Sequence, residues 1–236
     1  MLDVIGAIFG STLYASVVAV LIGLTPLRLG TRLAVFAAAA AWLGIIVGVA
    51  ALGGLTPGAL GPVPVTLLPF TALLALLLGG WLLVGTFRSA LLSVPLPVLV
   101  GLNAGRLGGG FFLLLYADGR LSAPFAPVAG LGDMLIGALA VPLATMLALR
   151  FDVRRAWLGI WNAFGALDLV VAVSLGALSM PNTPFRIFTE GPGTLAMTTV
   201  PWVLVPAMLV PIFLFIHFVI AARLRTATQA GRLAVA

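Results

Sequence analysis

Six polar side chains stand inside stretches that otherwise read as lipid-soluble. They are Asn103 and Arg106 in GLNAGRLGGGFF, Asp133 in AGLGDMLIG, Asn162 and Asp168 in WNAFGALD, and His217 in FIHFVI. A guanidinium facing carboxylates makes an ion pair or, with a vacant fork, an anion site; an amide and an imidazole pass hydrogen bonds or protons. One arginine between two aspartates leaves one negative charge over in a low-dielectric setting, an excess that a single bound proton relieves. The chemistry on offer is therefore binding or passage of a proton, an ion or a small solute.

Composition sets the medium in which these residues act. The chain has 236 residues, 62% hydrophobic and 8% charged, with a mean hydropathy of +1.26. Soluble domains carry about a quarter charged residues, so this is an integral membrane protein. The net charge of +6 does not indicate nucleic acid, because the arginines fall mainly between apolar runs, where membrane orientation accounts for them. Cysteine is absent, which removes disulfides, thiolate metal sites and thiol nucleophiles. Lysine is absent too, which excludes covalently linked retinal, and a single histidine excludes a bis-histidine haem within the chain. No metal site and no cofactor is expected. Asp3 stands where a signal peptide would carry basic residues, so the first apolar run is expected to stay in the mature protein.

Crossing about 30 Å of hydrocarbon takes about 20 apolar residues per helix. Runs of that length predict an all-α bundle of seven spans, near 4–24, 33–53, 65–85, 94–116, 127–149, 157–179 and 200–222, forming one transmembrane domain over 1–236 with no extramembrane domain. Breakers such as TPLRLGTR, GTFRSA, YADGRLSAP and RFDVRR separate them. Arginines test the segmentation independently. Arg28, Arg32, Arg88, Arg150, Arg154, Arg155, Arg223, Arg225 and Arg232 fall at one set of ends, and only Arg120 and Arg186 at the other. The positive-inside rule then puts the N-terminus outside and the C-terminus in the cytoplasm, in a bacterial inner membrane. Trp81, Trp157, Tyr116 and Trp202 fall near span ends, as a headgroup belt requires, whereas Tyr14 and Trp42 do not. FRIF, in the long loop from Ser179 to Thr199, reads as an interfacial element.

Small residues four apart put smooth faces on three spans: Gly6 and Gly10, Gly44 and Gly48, and Gly101, Gly105 and Gly109. These are expected to pack helices within the chain. Prolines at 201, 206 and 211 predict a bent seventh span.

Depth brings the polar residues together. At 1.5 Å per residue, Arg106 lies about 15 Å below Tyr116 and Asp168 about 16 Å above Trp157, so both sit near the bilayer middle. A charge there costs roughly 2.5 to 3.5 kcal/mol on insertion scales, and pairing Arg106 with Asp168 offsets that cost. Asp133 competes for the same cation, and Asn103, one turn from Arg106, helps satisfy the guanidinium or its partner. Asn162 and His217, at similar depth, form a second polar pair nearer the cytoplasm.

The stretch RLGGGFFLLLYADGRLSAPFAPVAGLGDMLIGALA and the later WNAFGALDLVVAV resemble a pattern of uncharacterised bacterial multipass membrane proteins. In that pattern an Arg followed by Gly and Phe precedes Phe-Ala-x-x-Ala-Gly-x-Gly-Asp and Trp-Asn-x-x-Gly-x-x-Asp. The resemblance covers roughly residues 103–172 and implies no particular activity. It falls on Arg106, Asp133, Asn162 and Asp168, the residues that bilayer energetics selects.

Several roles fit these observations. The first is a small permease or channel-like protein that uses Arg106, Asp133, Asp168 and Asn103. A noncatalytic accessory subunit packed by its glycine faces against other membrane subunits is the second. An intramembrane lipid-acting enzyme is the third, although the chain has one histidine, no serine elbow and no helix-local carboxylate pair. A receptor lacks a sizeable output region.

Overall fold

The computed structural model describes the backbone of residues 1–233 and side chains to Thr226, so Arg232, counted above for orientation, lies outside the described side chains. Among the described residues there is no strand. The helices are α1 (Leu2–Gly23), α2 (Leu29–Ala51), α3 (Leu67–Leu83), α4 (Gly85–Ser93), α5 (Leu96–Leu102), α6 (Gly110–Ala117), α7 (Phe125–Ala148), α8 (Arg155–Leu178) and α9 (Val210–Leu233). A 3₁₀ turn over Asn103–Gly109 joins α5 to α6, and a π-helical stretch over Val205–Leu209 leads into α9. Among the described residues six helical spans are long and apolar enough to cross a membrane, and seven if α3 and α4 count as one broken span.

That broken span is a departure from the straight third helix expected over 65–85. Val84 is extended, and α4 turns 99° away from α3. GTFRSA is thus helical, not a loop. Its sequence explains why: Ala90 and Leu91 are buried, while Thr86, Arg88 and Ser89 are exposed, the division of an interfacial amphipathic helix.

The last span also begins later than expected. Residues 199–204 are turns and a single helical residue, and regular winding starts with Val205 and Pro206. A proline has no N–H to donate, so it fits the first turn of a helix at no cost in hydrogen bonds. Pro211, further in, leaves the Ala207 carbonyl without its i+4 donor. The Trp42 indole N–H approaches that carbonyl at 3.5 Å. Tyr14 similarly donates to the Ala39 carbonyl at 2.9 Å. The two aromatic residues that a headgroup belt does not explain are therefore inward-facing donors that tie α1, α2 and α9 together.

The final span is the hub. Of its apolar stretch 67% is buried, against 28% for α1 and 6% for α2. Around it the main core gathers Met208, Ile216 and Ile220 with Trp161 of α8, Leu99 of α5 and Phe70 of α3. At the N-terminal end, Asp3 accepts from Arg120 at 2.8 Å and from the Trp202 indole at 2.6 Å. The Ser179–Thr199 loop closes over the same end. Ser122 and Gly193 exchange bonds of 3.0 and 3.1 Å, and Thr194 donates to Gly176 O at 2.9 Å. Gly193 has φ +61, a conformation that favours glycine, and a side chain there would run into the Ser179 carbonyl. In FRIF, Phe185 and Ile187 are exposed and Arg186 donates to the carbonyls of Phe188, Thr189 and Gly191.

The glycine faces divide. Gly6 receives the Trp202 ring, Gly105 receives Leu13 and Gly109 receives Asp133. Gly44 and Gly48 meet nothing within 4 Å, so the expectation that this glycine pair packs within the chain fails. The reason is the place of α2 at the edge of the bundle, where little of its surface is covered.

Candidate functional site

The fourth span carries the central cation on unusual winding. NAGRLGG holds three glycines, whose weak helix preference lets the chain tighten into a 3₁₀ turn. With three residues per turn, Asn103, Arg106 and Gly109 fall in line, and all three are buried. The α7 backbone lies directly on this stripe. A Cβ on Gly109 would meet the Asp133 Cβ at 2.5 Å and Gly130 O at 2.9 Å; one on Gly137 would meet the Leu107 amide nitrogen at 2.7 Å. The glycines bring the Asp133 carboxylate within reach of Arg106.

On α8 the order is Trp161, Asn162, Gly165, Asp168. Steps of three residues drift slowly round an α-helix, so Asn162, Gly165 and Asp168 share one face. Gly165 is bare because His217 of α9 lies on it: a Cβ there would sit 2.6 Å from the His217 Nε2. Trp161 flanks the same imidazole, with ring centroids 5.5 Å apart, and donates its indole N–H to Ile136 O at 3.3 Å.

These faces converge on one guanidinium. Arg106 Nε donates to Asp133 Oδ1 at 2.7 Å, and Nη2 makes a short ion pair with Asp168. Nη1 donates to the Gly165 carbonyl at 3.0 Å and lies 3.1 Å from His217 Nε2. An arginine has no acceptor, so Nε2 must accept and the ring proton resides on Nδ1. From there it is donated to Asn162 Oδ1 at 2.9 Å, and Asn162 Nδ2 in turn donates to His217 O at 3.1 Å. The guanidinium side chain is 1% exposed, and those of Asp133 and Asp168 are 11% and 15% exposed. Three nitrogens thus have four partners, and no open fork remains for an incoming anion. Among the described residues no cluster of three potential metal ligands occurs.

The arrangement differs from the expectation in three ways. Asp133 and Asp168 do not compete; they hold different nitrogens of Arg106 simultaneously. Asn103 does not reach the guanidinium: its Nδ2 donates back to Leu99 O at 3.1 Å, and its Oδ1 is buried without a partner. Asn162 and His217 do bond each other, but they belong to the same cluster as Arg106. Sequence reasoning missed that link, along with the Gly165 carbonyl and Trp161. The bare Gly165, midway between Asn162 and Asp168, was the available signal.

Cavities reach this cluster from both ends. Two of about 50 Å³ each include Asp133 in their walls. One runs from Thr194 and Met180 at the N-terminal end to Asp133; the other lies between α1 and the Arg106 turn. Each has room for a few waters. In the opposite half, a groove of about 560 Å³ runs between α3, α8 and α9, with His217 and Asn162 in its wall. Arg106 itself lines the cavity beside α1, and it is bonded to Asp133 in that cavity's wall and to His217 in the wall of the groove.

A family described as a domain of unknown function, DUF8737, matches residues 63–225. The match spans α3 to the inner part of α9, and so includes every residue of the polar cluster. No curated protein and no solved structure matches the chain.

Proposed function

Since the chain belongs to the DUF8737 family, which brings no activity with it, we propose a role from the polar cluster itself: a membrane protein that binds and passes a proton or small solute, with Arg106 as the barrier. The observation that carries this reading is the position of Arg106, between Asp133 in the N-terminal-side cavities and His217 in the opposite groove. With its fork occupied, the guanidinium holds the two sides apart. With Arg106 cationic, both aspartates ionised and His217 neutral, the cluster carries one negative charge. A proton on either carboxyl neutralises it, weakens one ion pair and frees an arginine nitrogen for a solute or water. Asp168, the more exposed acid, is the residue assigned this exchange.

Orientation follows the arginine asymmetry, with the N-terminus outside and the Arg150, Arg154, Arg155 and Arg223 end in the cytoplasm of a bacterial inner membrane. The test is a reconstituted vesicle carrying an internal pH-sensitive dye and an imposed pH gradient under a potassium–valinomycin clamp. Wild-type vesicles are expected to lose the gradient faster than protein-free vesicles, and Asp168→Asn vesicles to match the protein-free control. Wild type that holds the gradient as long as empty vesicles do, with an added solute equally retained, overturns the reading.

One observation favours a second role. The unpartnered Gly44 and Gly48 on the barely covered α2 suit contact with another membrane subunit. Stable copurification of a larger assembly in mild detergent, lost in Gly44→Leu with Gly48→Leu, would support an accessory subunit.

A further inference from the structure

The groove between α3, α8 and α9 is far roomier than the two cavities beside Asp133, and its walls change character along its length. Leu74 and Leu78 of α3, Ala166 of α8, and Leu214 and Phe218 of α9 make it apolar. Polar groups occur at two levels only. Asn162 and His217 lie deep, already bonded to each other. Arg225 stands at the mouth, about 12 Å further along α9 by helical rise. Arg225 is exposed, is in no ion pair among the described residues, and no acidic residue lines the groove.

The neighbouring arginine behaves differently. Arg223 turns back to donate to the Val94 carbonyl at the turn between α4 and α5. That bond anchors the end of α9 and leaves Arg225 as the cation at the opening. A volume of about 560 Å³ falls within the range of about 300–1,000 Å³ that ligand sites use.

We propose that this groove is a binding site for an anionic phospholipid, one acyl chain lying along Leu74, Leu78 and Phe218 and the headgroup phosphate meeting Arg225. The argument is one of complementarity. An apolar trough inside the hydrocarbon suits an alkyl chain, and a cation without a carboxylate partner at headgroup level suits a phosphate. The site stands whether or not Arg106 gates a proton, because Leu74, Leu78, Phe218 and Arg225, which would hold the lipid, are not members of the ion pairs.

Native mass spectrometry of the full chain, delipidated in detergent and then given phosphatidylglycerol or phosphatidylcholine with identical acyl chains, tests the proposal. Wild type is expected to retain phosphatidylglycerol about fivefold better, the preference that one arginine near a headgroup supplies. Arg225→Gln, a change at an exposed position, should erase the preference. Ala166→Trp should plug the trough and lower retention of both lipids, while Ala38→Trp on the exposed face of α2 leaves retention unchanged. Equal retention of the two lipids by wild type overturns the proposal. So does a preference that survives Arg225→Gln, or an equal loss in Ala38→Trp and Ala166→Trp. Displacement of the lipid by excess inorganic phosphate would reassign Arg225 to a free-anion site.

Discussion

The first two helices fall in the same range of hydropathy as the spans that follow, yet the two regions are held in different ways. The α3–α9 part, which coincides with the family match from residue 63, is fixed by bonds that hydrocarbon makes expensive to leave unmade: two ion pairs, a guanidinium–carbonyl bond and a histidine–asparagine exchange. The α1–α2 part is fixed by scattered contacts: Trp202 lies on Gly6, Leu13 on Gly105, Phe9 on Gly108, two aromatic donors reach helix carbonyls, and Asp3 at the exposed end of α1 accepts from Arg120 and Trp202. Apolar surface alone does not distinguish the regions, since lipid offers a leucine the same environment that a helix does. What distinguishes them is how many polar groups have nowhere else to go.

The largest expected effect falls at Arg106. Arg106→Leu leaves Asp133 and Asp168 without their cation and should cost about 3–5 kcal/mol, measured as a shift in unfolding in detergent. Adding Asp133→Asn and Asp168→Asn together should recover most of it, and Asp168→Asn alone only part. Equal recovery by the double and triple variants would remove Asp133 from the cluster.

Next comes Gly109→Ala, which pushes a methyl group against the Gly130 carbonyl and Asp133. It should cost about 1–3 kcal/mol and spread the fourth span from α7. In the N-terminal pair, Tyr14→Phe loses the bond to Ala39 O and should cost about 1 kcal/mol. Smallest is Gly48→Ala, with open space around it, expected within about 0.5 kcal/mol of wild type. A Gly48→Ala loss as large as that of Gly109→Ala, in the purified chain, would mean that α2 is packed after all and would erase the contrast between the two regions.

Much of this was legible in the sequence because bilayer thickness fixes span length and span length fixes depth. Arg106 and Asp168 could be set at the same level by counting from Tyr116 and Trp157. That His217 joins the Arg106 cluster was not legible, because a depth counted along one helix does not say how far a side chain reaches toward its neighbours; its Nε2 lies 3.1 Å from Arg106 Nη1. The broken third span was illegible for another reason. Val84 is as apolar as its neighbours, and its extended backbone leaves no mark in composition. Nor could a sequence reveal that Gly165 offers its carbonyl, since every residue carries one.

The tight winding of Asn103–Gly109 has a mechanical corollary. A 3₁₀ turn rises about 2.0 Å per residue and advances about 120°, against about 1.5 Å and 100° for an α-helix. Over the six steps from Asn103 to Gly109, relaxing to the wider coil would shorten this crossing by about 3 Å and rotate one end against the other by about 120°. The segment that presents the guanidinium is thus also the most tightly wound stretch of the crossing, so any exchange of partners at Arg106 that rewinds it would be felt as a pull between the two membrane faces.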